Sequence, residues 1–169
     1  MKYVMLLNLL LFVKIPNVAS SHKEIPSIDE IRSLYQKSMA SKIACKKLID
    51  LLEPYKKDPL YLGYSGCATM VMAKHAFSPF SKLSYFKKGK RMLEKAIDSD
   101  HNNFELRFLR FTDQTNMPSF LGYNDSIKKD RTFILHSFLQ IKDVRLEAYV
   151  LPSLKESKDL SSLEKEKLK

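Results

Sequence analysis

The stretch Leu106 to Asn124, LRFLRFTDQTNMPSFLGYN, holds the side chains with most to offer a ligand. Arg107 and Arg110 lie three apart, so on a helix they share a face, with Gln114 four further along. Paired guanidiniums projecting into a groove between helices can take a carboxylate or a phosphate through parallel N–H donors. Tyr61, Tyr64 and Tyr123 are the aromatics expected to line the same groove. The stretch also has a purely structural reading. Phe104, Phe108 and Phe111 form one helical face, Leu106 and Leu109 fill much of the rest, and Asp113 stands within reach of Arg110. A helix apolar on most sides is one buried between neighbours. On that reading Phe120, Leu121 and Tyr123 plug the base of the fold and Gly122 permits the turn.

A second concentration is basic. Lys82, Lys87, Lys88, Lys90, Arg91 and Lys95 fall within twenty residues, with Tyr85 and Phe86 among them. Lys87, Arg91 and Lys95 repeat at spacing four and make a ridge on a helix, which suits a polyanion. The competing reading is a solvated face, with Glu94 near Arg91 diluting the charge. The net charge of +10 allows either.

Cys45 and Cys67 flank a turn centred near residue 56, so an antiparallel hairpin brings them level. An exported chain meets oxidising conditions, and a disulfide between them competes with two separate buried thiols. The histidines are His22, His75, His101 and His136, and none pairs with another at ligand spacing. No HExxH, CxxC, GxxxxGK[ST], GxGxxG or GxSxG occurs. The expectation is therefore a binding protein, not an enzyme, with no metal and no cofactor.

These residues must be positioned by helices. Glycine is scarce, Val, Ile and Thr do not run together, and Leu, Lys, Glu, Met and Ala dominate. Ser27 with Glu30 is a capping box. Asp58-Pro59 and Ser78-Pro79 each place a cap before a proline at the first helical position. Asn124-Asp125-Ser126 and Ser161 with Glu164 offer later caps. Apolar residues keep helical spacing between these signals and predict about seven helices, with a break possible near Ser38–Ser41. Pro54 ends one run, and Pro152 ends or kinks the last. The connections are short, so consecutive helices should pack antiparallel.

The opening MKYVMLLNLLLFVKIPNVASSHKE has a lysine, an apolar run from Val4 to Val13, and small residues before Ser20. It predicts a secretory signal over 1–20, a helical domain over 21–156 and a charged, solvated tail over 157–169.

The stretch GKRMLEKAIDSDHNNFELRFLRF resembles the second helix of a tetratricopeptide repeat running into the next first helix. Gly89, Leu93 and Ala96 hold its small, large and small positions, and His101 replaces the usual turn proline. YLGYSGCATMVMAKHA resembles a first helix, and the likeness covers about residues 58–116. The resemblance implies an all-α stack of antiparallel hairpins, closely packed through Gly63, Gly66, Ala68 and Gly89. MAKHAFSPFSKLSYFKKGK, with the stretch Leu106 to Asn124, also resembles small exported proteins of Bacteroidota-type bacteria, which implies architecture and no chemistry.

The functional expectation is an exported, periplasmic or secreted scaffold that binds a protein or peptide of the cell envelope. The alternative is an accessory protein that binds a polyanion or the anionic envelope through the Lys-rich helix 80–97. Nucleic acid is not expected, and membrane attachment is expected only through an uncleaved signal.

Overall fold

A computed structural model of the chain describes residues 24–168, and the expected signal segment over 1–20 lies outside them. Among the described residues there is no strand. The described residues form eight α-helices: α1 (Ile28–Ser38), α2 (Lys42–Leu52), α3 (Pro59–His75), α4 (Pro79–Ser99), α5 (Phe104–Asn116), α6 (Ile127–Ser137), α7 (Val144–Glu156) and α8 (Ser162–Glu166). The all-α expectation holds.

Local chemistry sets most of the boundaries. Ser27 accepts the Glu30 amide, Asp58 those of Leu60 and Tyr61, and Ser78 that of Ser81. Each bond satisfies an amide that the first turn leaves without an intrahelical partner. The break near Ser38 is real, and Ser41 restarts the chain by accepting the Ala44 amide. Pro152 does not end α7, which continues to Glu156.

Helix α3 is buried from Leu62 to Met72, and α4 packs antiparallel along it. Glycine makes this approach possible. A β-carbon at Gly66 would stand 2.8 Å from both the Gly89 carbonyl oxygen and the Leu93 amide nitrogen. One at Gly89 would strike the Gly66 carbonyl and the Met70 backbone. The two backbones therefore touch, and neither obstacle is a side chain that can swing aside. Gly89→Ala should gain up to about 1 kcal/mol of helix propensity but lose more by prising the pair apart. A net loss of about 1–3 kcal/mol is expected in urea denaturation; unchanged or raised stability would mean the crossing has slack.

The core has two parts. Ile31, Tyr35, Leu48, Tyr64, Leu93 and Leu106 belong to the first, between α1 and α5. Phe108, Phe111, Ile134, Val150 and Leu154 belong to the second, between α5 and α7. Helix α5 contributes to both, as its apolar pattern requires. The last residues were expected to be a solvated tail. They close the second core instead: Leu160 and Leu168 are buried in it. Ser161 and Glu164 form the expected capping box, and Arg131 grips the Glu164 carboxylate through two N–H groups.

Helices α1, α3, α5 and α7 run in one direction, with α2, α4 and α6 returning between them. Arg32 and Tyr64 meet Glu105 near the starts of α1, α3 and α5, and Tyr35 meets Asp113 towards the far end. The molecule thus has one end where the odd-numbered helices begin and another where α1, α3 and α5 finish.

Candidate functional site

The two arginines that suggested an anion site are not available to a ligand. Arg107 and Arg110 are buried and converge on Asp130 of α6, which has no exposed surface. Arg110 donates from Nε to Asp130 Oδ2 at 2.7 Å and from Nη2 to Oδ1 at 2.9 Å. Arg107 Nε donates to the same Oδ1, and its Nη1 reaches the His101 carbonyl at 3.1 Å. Arg110 Nη1 also binds Glu94 at 2.7 Å, and Glu94 accepts the Tyr123 hydroxyl. These charges join α4, α5 and α6. The expectation that the arginines face a groove is corrected: their partners lie on the helices before and after, and burial forces the pairing.

Asp113 does not turn to Arg110. It turns instead towards α1 and α3, where Tyr35 donates to Oδ1 at 3.4 Å, and Oδ2 has no hydrogen-bond partner. Burial pushes its carboxyl up to about 7. The Cys67 thiol, the Tyr35 hydroxyl and Lys74 offset only part of that effect.

Gln114 and two of the tyrosines are likewise structural. Gln114 accepts the Ser126 amide and donates to Asp125, fixing the connection into α6. Tyr64 donates to Glu105, which is also held bidentate by Arg32 at 2.8 Å on each oxygen. Tyr123 packs edge-on to Phe86, and Lys90 lies over its ring. Phe120 was expected to plug the base of the fold, yet it is exposed, because Gly122 at φ +60° turns Tyr123 inward and leaves Phe120 outside.

Cys45 and Cys67 are both buried and unbridged. The Cys45 thiol donates to the Ala68 carbonyl at 3.0 Å, whereas Cys67 faces Asp113, so their sulfurs turn to different partners. Burial raises both thiols, Cys45 to about 11, which leaves little thiolate at neutral pH. Among the described residues no group of His, Cys, Asp and Glu is placed to hold a metal ion, and no helix is long and apolar enough to cross a membrane.

Of the predicted tyrosines, Tyr61 lines a cleft. Its hydroxyl donates to the Pro26 carbonyl, and its ring joins Ile28, Leu60, Phe104 and Leu146 along a cleft of about 560 Å³. The cleft lies at the end where the odd-numbered helices begin. Asp58, Asn103 and Asp143, which cap α3, α5 and α7, therefore all meet it. Asp100 adds a third aspartate, with Arg32 and Glu105 at the base. The Arg32 guanidinium is held above its ordinary range by Glu105, against the cost of burial, and so stays charged. The lining combines the apolar side chains of Ile28, Leu60, Phe104 and Leu146 with the carboxylates of Asp58, Asp100, Glu105 and Asp143.

Outside comparison adds nothing to this geometry. Against protein-family models, curated proteins and solved structures, the chain has no match.

The aspartates of the cleft went unread in the sequence, although a signal was present. An Asp or Asn cap on every second helix of an antiparallel stack must gather at one end. Lys87, Arg91 and Lys95 are exposed as expected, and none of them is in an ion pair among the described residues. Glu94, expected to dilute that ridge, is turned inward to Arg110 and Tyr123.

Proposed function

We propose that the chain is an exported helical scaffold that holds a segment of a protein or peptide of the cell envelope, with the cleft at the start of the odd-numbered helices as its seat. The observation that carries this reading is the cleft itself, with Leu60, Tyr61 and Phe104 inside and Asp58, Asp100 and Asp143 at its margin. Such a lining fits a segment with an apolar residue next to a lysine or arginine. The apolar side chain leaves water, and the cation meets carboxylates that helix capping already holds in place. The backbone crossing at Gly66 and Gly89 supports reading the hairpins as tetratricopeptide-like, an architecture that presents an open face to extended partners.

A random peptide library displayed against the full chain tests this. Selected peptides should share a basic residue beside an apolar one. A variant with Asp58→Ser, Asp143→Ser and Asp100→Asn keeps polar caps and removes three charges. It should bind those peptides about tenfold or more weakly, a loss of about 1.4 kcal/mol. Selection of peptides without basic residues, or equal binding by the neutralised variant, would reject the cleft as their seat.

A further inference from the structure

We propose that the opposite end of the molecule, where α1, α3 and α5 finish, docks on an anionic lipid bilayer, with Phe77 and Phe80 inserted among the headgroups.

Three connections meet at that end: 39–41 between α1 and α2, 76–78 between α3 and α4, and 117–126 between α5 and α6. The first two are adjacent, since His75 Nε2 lies 3.2 Å from the Ser38 carbonyl oxygen. The third lies against the first half of α4, through the packing of Tyr123 on Phe86. Large apolar side chains stand at these tips with nothing over them. Phe77 is fully exposed, Phe80 is 88 % exposed and Phe120 84 %, with Met39, Ile43 and Leu83 also uncovered. A single exposed apolar residue is ordinary, whereas several on one end mark a contact surface.

Charge selects the partner. Lys37, Lys42, Lys74 and Lys82 are exposed around these tips, and Lys87 and Lys88 are exposed further along α4. No acidic residue occurs over 31–49, 59–93 or 114–124, and exposed Asp125, which closes the third connection, accepts from the Gln114 side chain. Glu94, the first carboxylate along α4, is spent on Arg110 and Tyr123 inside the fold. Asp29, Asp58, Asp100 and Asp143 lie at the other end, and exposed Glu156 and Asp159 belong to the close of α7, apart from the tips that carry Phe77 and Phe80. The tips of the α1–α2 and α3–α4 connections are therefore positive and aromatic, whereas the cleft at the other end is lined by carboxylates.

A soluble polyanion would satisfy the lysines and leave Phe77 and Phe80 in water. A protein groove would need a continuous apolar face, but here Phe77 stands in the α3–α4 connection and Phe80 in the first turn of α4, with Lys74 and Lys82 on either side in sequence. A bilayer surface meets both demands. Aromatic rings leave water at the depth of the headgroups, while lysines keep their ammonium groups level with the lipid phosphates. Anionic lipid adds an attraction for each lysine brought near the surface.

The test uses vesicles of phosphatidylcholine with and without phosphatidylglycerol, and the full chain. Sedimentation should show binding to the anionic vesicles only, weakening as salt rises from about 50 to about 300 mM. Phe77→Ser with Phe80→Ser should weaken binding about tenfold or more with an unchanged melting curve, since both side chains are outside the core. Lys74→Glu with Lys82→Glu and Lys87→Glu should weaken it similarly and flatten the salt dependence. A polarity-sensitive dye attached at Phe80→Cys should shift to the blue on anionic vesicles, and the same dye at Leu139→Cys, on the opposite end, should not. No binding to anionic vesicles would overturn the proposal. So would binding untouched by the phenylalanine substitutions, or a dye at position 80 that stays water-like on bound protein. Tighter binding to heparin than to vesicles, equally insensitive to the phenylalanines, would assign this end to soluble polyanions instead.

Discussion

Asp130→Ala is expected to remove about 3–5 kcal/mol of stability, a large fraction of what a domain of this size has. The reason is asymmetry. Asp130 has no exposed surface and holds two guanidiniums, Arg107 and Arg110, which are themselves buried. With the carboxylate gone, both cations remain in a low-dielectric site, and neither can neutralise itself by losing a proton. Glu94 still contacts Arg110, so Arg107 bears the larger loss; it keeps only the His101 carbonyl and the Phe133 ring. The intact network need not be strongly stabilising for this to hold, since breaking a buried pair costs more than forming it contributes. Urea denaturation measures the loss, and a double-mutant cycle identifies its origin. In an Arg107→Met, Arg110→Met background, Asp130→Ala should cost much less, because the stranded charges are gone. A loss below about 1 kcal/mol for Asp130→Ala alone would place the network among solvated surface pairs. Arg107→Ala with Arg110→Ala should also lower the melting temperature markedly; two side chains facing a groove would have left it nearly unchanged.

That contrast shows where sequence reading reaches its limit. Helix starts were legible because caps are local: Ser27, Asp58, Ser78 and Ser161 each bind an amide two or three residues away. The close approach of α3 and α4 was legible because only glycine at Gly66 and Gly89 allows two backbones to touch. The roles of Arg107 and Arg110 were not legible. Periodicity shows that α5 is apolar on most sides, but it does not say which neighbour covers the side that carries the arginines. Their partner Asp130 lies twenty residues beyond Arg110 on α6, and Glu94 sixteen before it on α4. The same limit applies to the tail: its charged composition reads as solvated, while Leu160 and Leu168 depend on a crevice that α6 and α7 create. Polarity between the two ends is a sum over turns far apart in sequence, and no single segment displays it.

Between about pH 4 and about pH 7 the folded chain is expected to lose stability as pH rises, through Asp113. Burial raises this carboxyl to about 7 from an ordinary value of 3.8. Within that window the folded state keeps a proton that the unfolded state has released, so raising the pH favours unfolding. The loss levels off above pH 7, and a difference of about three pH units corresponds to at most about 4 kcal/mol. The geometry agrees with the sign. The carboxyl lies among Tyr35, Cys67 and the α5 backbone, with one oxygen lacking any partner, a position that suits a neutral acid better than an anion. Partly buried Glu164 works the other way, because Arg131 and its cap hold it down at about 2, so its contribution is lost only in stronger acid. Asp113→Asn separates the effects. It keeps a neutral acceptor for the Tyr35 hydroxyl and removes the titration, so it should stabilise the fold at about pH 8 and leave it nearly unchanged at about pH 4. Urea denaturation of both chains across that range decides the matter. If the variant keeps the parent's slope between pH 4 and pH 7, the proton belongs to another group, and the orphaned oxygen of Asp113 must instead be satisfied by water that enters the space between α1, α3 and α5.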